Sequence, residues 1–137
     1  MNKLLFAPLL FLASLAGAQE PIVQAGTGDW SQLPELERVS YDNLSSVVMM
    51  KMYEISKRHR CQLPGQRGNR LNMSISFAAE YAEQGQLSRL IIPQLNCPEA
   101  ESWLGGVLLK SLKAGDMRPA RGGSGWYRGS FSFYYEG

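Results

Sequence analysis

The segment LNMSISFAAEYAEQGQLSRLIIPQL, residues 71–95, decides the fold because it predicts a β-hairpin. Apolar and polar residues alternate over 71–81, which is typical of a strand that buries one face. The following turn contains Gly85, which can adopt the positive φ that a tight hairpin requires. The returning strand is predicted over 87–95, and Pro93 near its end indicates an edge, a bulge or the end of the strand.

Two helices are predicted on either side of this hairpin. The first begins near Asp42, which can cap it, and extends to about Arg58, with apolar residues at helical spacing. The second is capped by Asn96, with Glu99 three residues on to complete a capping box, has Pro98 in its first turn, where the missing N–H costs nothing, and ends at Gly115.

A last strand is predicted over residues 126–135, where aromatic residues alternate with polar ones. Its polar face carries Arg128, Ser130, Ser132 and Tyr134. The sequence therefore predicts an α+β fold in which two helices pack on one face of a three-stranded antiparallel sheet, in the order α-β-β-α-β.

The N-terminus has the layout of a secretory signal peptide over residues 1–18: a short basic start, an apolar run, and the small residues Ala16-Gly17-Ala18. The apolar run is shorter than the roughly 20 residues of a membrane-spanning helix, so we expect no stable span after cleavage. An uncleaved anchor is the alternative. Residues 19–41 are predicted to form an arm or linker, either pinned to the body by Trp30 or free, and residues 42–137 form the domain.

The charge and composition exclude some classes of partner. The net charge of +2 falls to about +1 when the signal peptide is removed, which gives no support for nucleic-acid binding. No sequence pattern indicates a cofactor.

The expected compartment is the periplasm, with secretion as the alternative, and the expected partner is a protein of the cell envelope.

The two cysteines of the chain, Cys61 and Cys97, are predicted to form a disulfide, because an even pair in an exported protein usually does. The hairpin brings Cys97 back to the start of the first long strand, just after Cys61. Closing the loop between Cys61 and Cys97 would stabilise the fold by roughly 4 kcal/mol in the chain-entropy model of disulfides. Two cysteines and a single histidine do not complete a tetrahedral metal site, so no metal is expected.

Catalysis is not expected from this sequence. The one histidine, His59, lies among cationic residues at the end of the first helix, and a surface position suits it better than the role of a general base. No Ser-His-acid set can be assembled around it. We therefore expect no catalytic residues.

The hairpin 74–95 is followed by a helix, Pro119-Ala120, the Gly122-Gly123 turn, and a strand with alternating aromatics at 131–133. In the order and spacing of these features the chain resembles the C-terminal domain of the TonB and TolA proteins, and the hairpin matches the first two strands of that family. The resemblance covers about residues 42–137. The chain departs from the family because we identify no Pro-rich or helical spacer in it, so the resemblance does not imply energy transduction.

The resemblance implies a non-catalytic, periplasmic protein-binding module that engages a partner by edge-strand addition. Its partner would be an envelope protein or a peptide of an outer-membrane receptor, or a second copy along the same edge. The implied partner-binding residues are Arg128, Ser130, Ser132 and Tyr134, whose side chains point away from the predicted core. The alternative is a small secreted inhibitor or effector on the same disulfide-stabilised fold.

Overall fold

The computed structural model describes residues 20–39, 46–120 and 123–137. In chain order, these ranges contain β1 (Ile22–Gly26), β2 (Glu37–Arg38), α1 (Ser46–Arg58), β3 (Gln66–Arg67), β4 (Arg70–Tyr81), β5 (Leu87–Pro93), α2 (Pro98–Lys113), β6 (Met117–Arg118) and β7 (Gly125–Glu136). The signal peptide predicted at 1–18 and the helix start predicted at Asp42 lie outside the described residues.

The strand β4 is the centre of the sheet. Its alternating residues bury one face completely, with exposures of 0–2% from Leu71 to Phe77 on that face. On one side β4 pairs antiparallel with β7 along its full length, from Arg70↔Glu136 to Tyr81↔Gly125. On the other side it pairs antiparallel with β5 near its end and with the short β3 near its start.

Both helices cover the apolar face of the sheet and bury a single core. α2 packs mainly over β5 and β1, whereas α1 packs over β7 and against α2. The core includes residues of both helices and of the central strands; among those with no exposed surface are Met52, Phe77, Leu90, Leu104 and Leu108. This arrangement leaves the opposite face of the sheet, which carries mostly polar side chains, on the far side from the helices.

The prediction of a three-stranded antiparallel sheet is wrong, although the fold is α+β. Within the described ranges the sheet has five strands and is mixed, because β1 lies parallel to β5, from Ile22↔Arg89 to Gly26↔Pro93, and β3 joins one end of β4. The first four side chains of β1 are exposed. The strand is therefore held by backbone hydrogen bonds to the edge of β5. Because its side chains are not buried on one face, its sequence shows no alternation of apolar and polar residues.

The arm that follows β1 crosses the polar face of the sheet to the opposite edge. Trp30 and its neighbours lie over Ser74 and Ser76 of β4 with a cleft between them, and Ala78 on this face has no exposed surface. The arm then reaches β7, and β2 pairs antiparallel with β6. The segment Glu20–Val39 is thus in contact with the body at both edges of the sheet.

The predicted disulfide between Cys61 and Cys97 is confirmed, with the two Cα atoms 5.5 Å apart. It ties the chain after α1 to the start of α2, and it indicates an oxidising, extracellular-type compartment. Within the described ranges, neither helix is both long enough and apolar enough to cross a membrane.

The start of α2 differs from the predicted capping box. The N-cap residue is Cys97, which makes no capping hydrogen bond with its side chain, and Asn96 adopts a positive φ of 57°. The cap predicted at Asn96 is therefore wrong. The carboxylate of Glu101 instead accepts a hydrogen bond from the backbone N–H of Leu95 at 2.7 Å, which fixes the chain that leads into the helix.

Candidate functional site

The candidate site is the outer edge of β7, the edge that does not face β4. Alternate residues of a strand direct their backbone N–H and C=O groups to opposite sides. Gly137 donates its N–H to the carbonyl of Asn69, just before the start of β4, so the odd-numbered residues of β7 bond inwards. The even-numbered residues, among them Ser130, Ser132 and Tyr134, direct their backbone groups to the outer edge.

The first half of this edge is already paired by the arm. The backbone N–H of Arg128 donates to the carbonyl of Pro34 at 2.9 Å, and the N–H of Leu36 donates to the carbonyl of Arg128 at 2.8 Å. These two bonds form a parallel bridge between Glu35 and Arg128. A segment of the chain itself thus adds to β7 as a strand would.

The side chain of Arg128 strengthens this pairing. Its Nε donates to the carbonyl of Leu33 at 2.9 Å, and its Nη1 lies 3.1 Å from a carboxylate oxygen of Glu35. The side chain is only 31% exposed. The structure therefore places Arg128, one of the predicted partner-binding residues, in contact with the arm rather than with open solvent.

The middle of the edge is bordered by Arg38. Its guanidinium donates from Nη2 to the carbonyl of Ser130 at 2.8 Å and lies 5.7 Å from the centre of the Phe131 ring. A cavity of about 360 Å³ lies beside this contact, and its lining comprises Glu35, Leu36, Arg38, Met117, Arg128, Gly129 and Ser130. The outward carbonyl of Ser130 is therefore occupied by a side chain of β2.

The second half of the edge is open among the residues that the structure describes. No hydrogen bond from these residues reaches the outward N–H or C=O groups of Ser132 or Tyr134. On the polar face, the hydroxyl of Ser132 lies 3.0 Å from that of Ser74. The side chain of Tyr134 is 59% exposed, and its hydroxyl donates to Glu136, which raises the pKa of Tyr134. Ser130, Ser132 and Tyr134 thus share an exposed polar face, and the edge beside the last two is open in the described part of the chain.

The other chemically notable cluster lies at the disulfide. His59 Nδ1 is 3.5 Å from a carboxylate oxygen of Glu99, and both side chains are well exposed. Cys61, Cys97 and Glu99 bring atoms of metal-ligand type within 4.8 Å of one another. Both sulfur atoms are bonded to each other, however, and a disulfide does not supply the thiolates that a metal requires.

Two buried polar atoms have no hydrogen-bond partner among the described residues, Tyr81 Oη and Trp103 Nε1. Burial raises the pKa of Tyr81 to about 12, with a smaller contribution from the nearby Tyr127. The rings of these two tyrosines meet edge to face, with centroids 5.9 Å apart. Tyr81 is thus held in its neutral form and acts as a packing residue.

The residues that the sequence analysis missed are those of the arm that occupy the edge. Leu36 packs against the core, and its backbone N–H donates to the carbonyl of Arg128. The only local sequence signal for this contact was an apolar residue shortly after Pro34. Gly129 was also missed. A Cβ at this position would collide with the ring of Phe77, so a glycine fits best where β7 passes this fully buried aromatic side chain.

Comparisons of the chain with protein-family models, with curated proteins and with solved structures found no match.

Proposed function

We propose that this chain is an exported, non-catalytic protein-binding module of the periplasm that takes up an extended segment of an envelope protein along the outer edge of β7. This is the mode that the resemblance to the TonB and TolA C-terminal domains implies. The proposal rests on the open edge of β7 and does not need the three-stranded sheet that the sequence pattern predicted.

The observation that carries the proposal is the unequal coverage of the β7 edge. The arm pairs with Arg128, and Arg38 borders Ser130. The outward N–H and C=O groups of Ser132 and Tyr134 have no hydrogen-bond partner among the described residues. An open edge in a strand of twelve residues is a template for another strand. Peptide recognition by strand addition uses such an edge for affinity and the flanking side chains for specificity.

The position of the arm limits the length and the character of the partner segment. A strand that adds beyond Ser130 faces about five residues of β7, 132–136, before that strand ends. On the polar face it passes the hydroxyl of Ser132 and the exposed ring of Tyr134. We therefore expect a short extended peptide with polar or aromatic side chains on one face.

A proline substitution at Ser132 tests this mode with little damage to the fold. Because even-numbered residues of β7 direct their N–H groups outwards, Ser132→Pro removes an outer-edge donor and leaves the bonds to β4 in place. Ser132→Ala is the matched control, since it loses the same hydroxyl and keeps the N–H.

A photo-crosslinking amino acid at Tyr134 in the envelope of living cells identifies the partner, and the same group at Met50 on α1 controls for random capture.

We expect a specific crosslinked partner from position 134, and binding of that partner about five- to tenfold weaker for Ser132→Pro than for Ser132→Ala, as the loss of one ladder bond implies. Thermal unfolding must show that both variants are folded. Equal affinities of the two folded variants for the identified partner would disprove strand addition at this edge.

A further inference from the structure

The opposite edge of the sheet, the outer edge of β1, is a second open surface. Within the described ranges β1 has one neighbour, β5. Natural edge strands are usually protected against pairing by a lysine, a proline or a bulge. The strand Ile22–Gly26 reads IVQAG, with no charge and no proline, and Ile22 and Val23 are 55% and 37% exposed.

An apolar groove of about 440 Å³ follows this edge between β1 and α2. Two glycines of α2 line it: a Cβ at Gly105 would lie only 3.0 Å from Val23 Cγ1, so this glycine lets β1 lie close to the helix, and a Cβ at Gly106 would meet nothing within 4 Å. Val23, Ala25 and Leu109 supply its apolar walls. The edge of β1 and the groove beside it form one continuous surface, which we name the β1 surface.

We propose that the β1 surface binds a second copy of this chain, with the two β1 strands antiparallel about a two-fold axis at Gln24. A two-fold contact requires a surface that is complementary to itself. In this register Ile22 of one copy faces Gly26 of the other, and Val23 faces Ala25. Each large apolar residue of the strand thus meets a small one, and the polar Gln24 meets its own copy.

The charges on α2 agree with the same arrangement. The helix is antiparallel to β1, because Glu20 before the strand pairs with Lys113 at the end of the helix at 2.6 Å. Glu101, Gly105, Leu109 and Lys113 follow each other at four-residue spacing on the stripe beside the groove. The two-fold axis brings the acidic end of this stripe in one copy to the basic end in the other. At each end of the interface, Glu101 of one copy therefore lies at the end where the Lys113–Glu20 pair of the other copy lies.

This pairing joins the two sheets edge to edge and keeps all four helices on one face, since the axis is perpendicular to the sheet. The β7 edges remain at the outer ends of the joined sheet. Self-association through the β1 surface is therefore independent of partner binding at β7, and either can fail without the other.

The test is the molar mass of the exported, disulfide-bonded chain, measured by light scattering and sedimentation over a range of concentrations. We expect a reversible dimer, and we expect Ile22→Lys to raise its dissociation constant at least about tenfold, because the lysine places a charge at the interface. Met50→Lys is the matched control, since Met50 is also an exposed apolar residue, 38% exposed, but lies on α1. It should leave the dissociation constant unchanged.

A cysteine at the axis separates this arrangement from any other dimer. Residues that face each other in antiparallel strands have Cβ atoms about 4.5–5.5 Å apart, near the reach of a disulfide. Gln24→Cys should therefore form a covalent dimer under mild oxidation, and Met50→Cys should not. A monomer at every concentration would overturn the proposal. A dimer that resists Ile22→Lys and is not linked through position 24 would overturn it as well, since it would use another surface.

Discussion

The substitution Gly129→Ala tests how tightly β7 is packed at the point where the arm reaches it. A Cβ built on Gly129 collides with Cζ of Phe77 and lies 2.6 Å from its Cε1 and 3.1 Å from its Cε2. Carbon atoms pack at about 3.5–4.0 Å, so the ring must move by several tenths of an ångström or more. Phe77 has no exposed surface, and its ring contacts that of Phe131 with centroids 5.5 Å apart, so it has little room to move.

We therefore expect Gly129→Ala to lower the free energy of unfolding by about 1–3 kcal/mol, the usual cost of an overpacked core. For a domain of this size each kcal/mol lowers the melting temperature by roughly 2–8 °C. The assay is urea unfolding followed by tryptophan fluorescence. The double variant Gly129→Ala/Phe77→Leu should lose less unfolding free energy than the two single variants lose in sum. The smaller leucine side chain frees the space that the new Cβ needs.

The control is Gly106→Ala, at an exposed helical glycine where an added Cβ meets nothing within 4 Å. It should stabilise the protein by up to about 1 kcal/mol, the difference in helix propensity. If Gly129→Ala were as stable as the native chain, or if Phe77→Leu gave no relief, the close approach of β7 to the core would be refuted.

Three further predictions concern the arm, the disulfide and Tyr81. Arg128→Ala should cost about 2 kcal/mol, because a charged hydrogen bond to the arm is lost, and it should speed amide exchange at Leu36; unchanged exchange would contradict the role of the guanidinium. Replacing Cys61 and Cys97 together by serine should cost about 2–5 kcal/mol in thermal unfolding, and a smaller loss would mean that the loop is constrained by other contacts. Because the folded state raises the pKa of Tyr81 to about 12, stability should fall as the pH rises from about 10 to 12. Tyr81→Phe should remove that part of the decline, and an identical alkaline unfolding curve would argue against it.

The central strands could be predicted because their signal is local. Alternation predicted a strand over 71–81, and β4 spans Arg70–Tyr81; it predicted another over 126–135, and β7 spans Gly125–Glu136. One face of each strand is buried by the same helices, so every second residue had to be apolar. The helix predicted over 42–58 was found as Ser46–Arg58 in the described part of the chain.

The five-stranded mixed sheet could not be predicted in this way. β1 exposes four of its five side chains, so its sequence carries no period, and its place beside β5 depends on backbone bonds between segments more than sixty residues apart. The cap of α2 was missed for a related reason. Asn96 adopts a positive φ of 57°, so the N-cap position falls on Cys97, and Glu101 accepts the N–H of Leu95 just before it.

The exposed face of β7 could be predicted from the sequence, and the contacts along its edge could not. Alternation placed Arg128, Ser130, Ser132 and Tyr134 on the face away from the core. The contact of Arg128 with the carbonyl of Leu33 joins residues 95 positions apart, and no pattern within β7 indicates it. The sequence could therefore suggest which strand is an edge, whereas only the structure shows which part of that edge the arm occupies.

Amide hydrogen exchange along β7, measured residue by residue on the isolated chain, tests the open edge most directly. We predict slow exchange at Phe131 and Phe133, whose N–H groups bond to β4, and fast exchange at Ser132 and Tyr134, whose N–H groups face the outer edge. Arg128 should also exchange slowly, because Pro34 accepts its N–H. Protection of Ser132 and Tyr134 equal to that of Phe131 and Phe133 would contradict the account, since it would show that this edge is already filled.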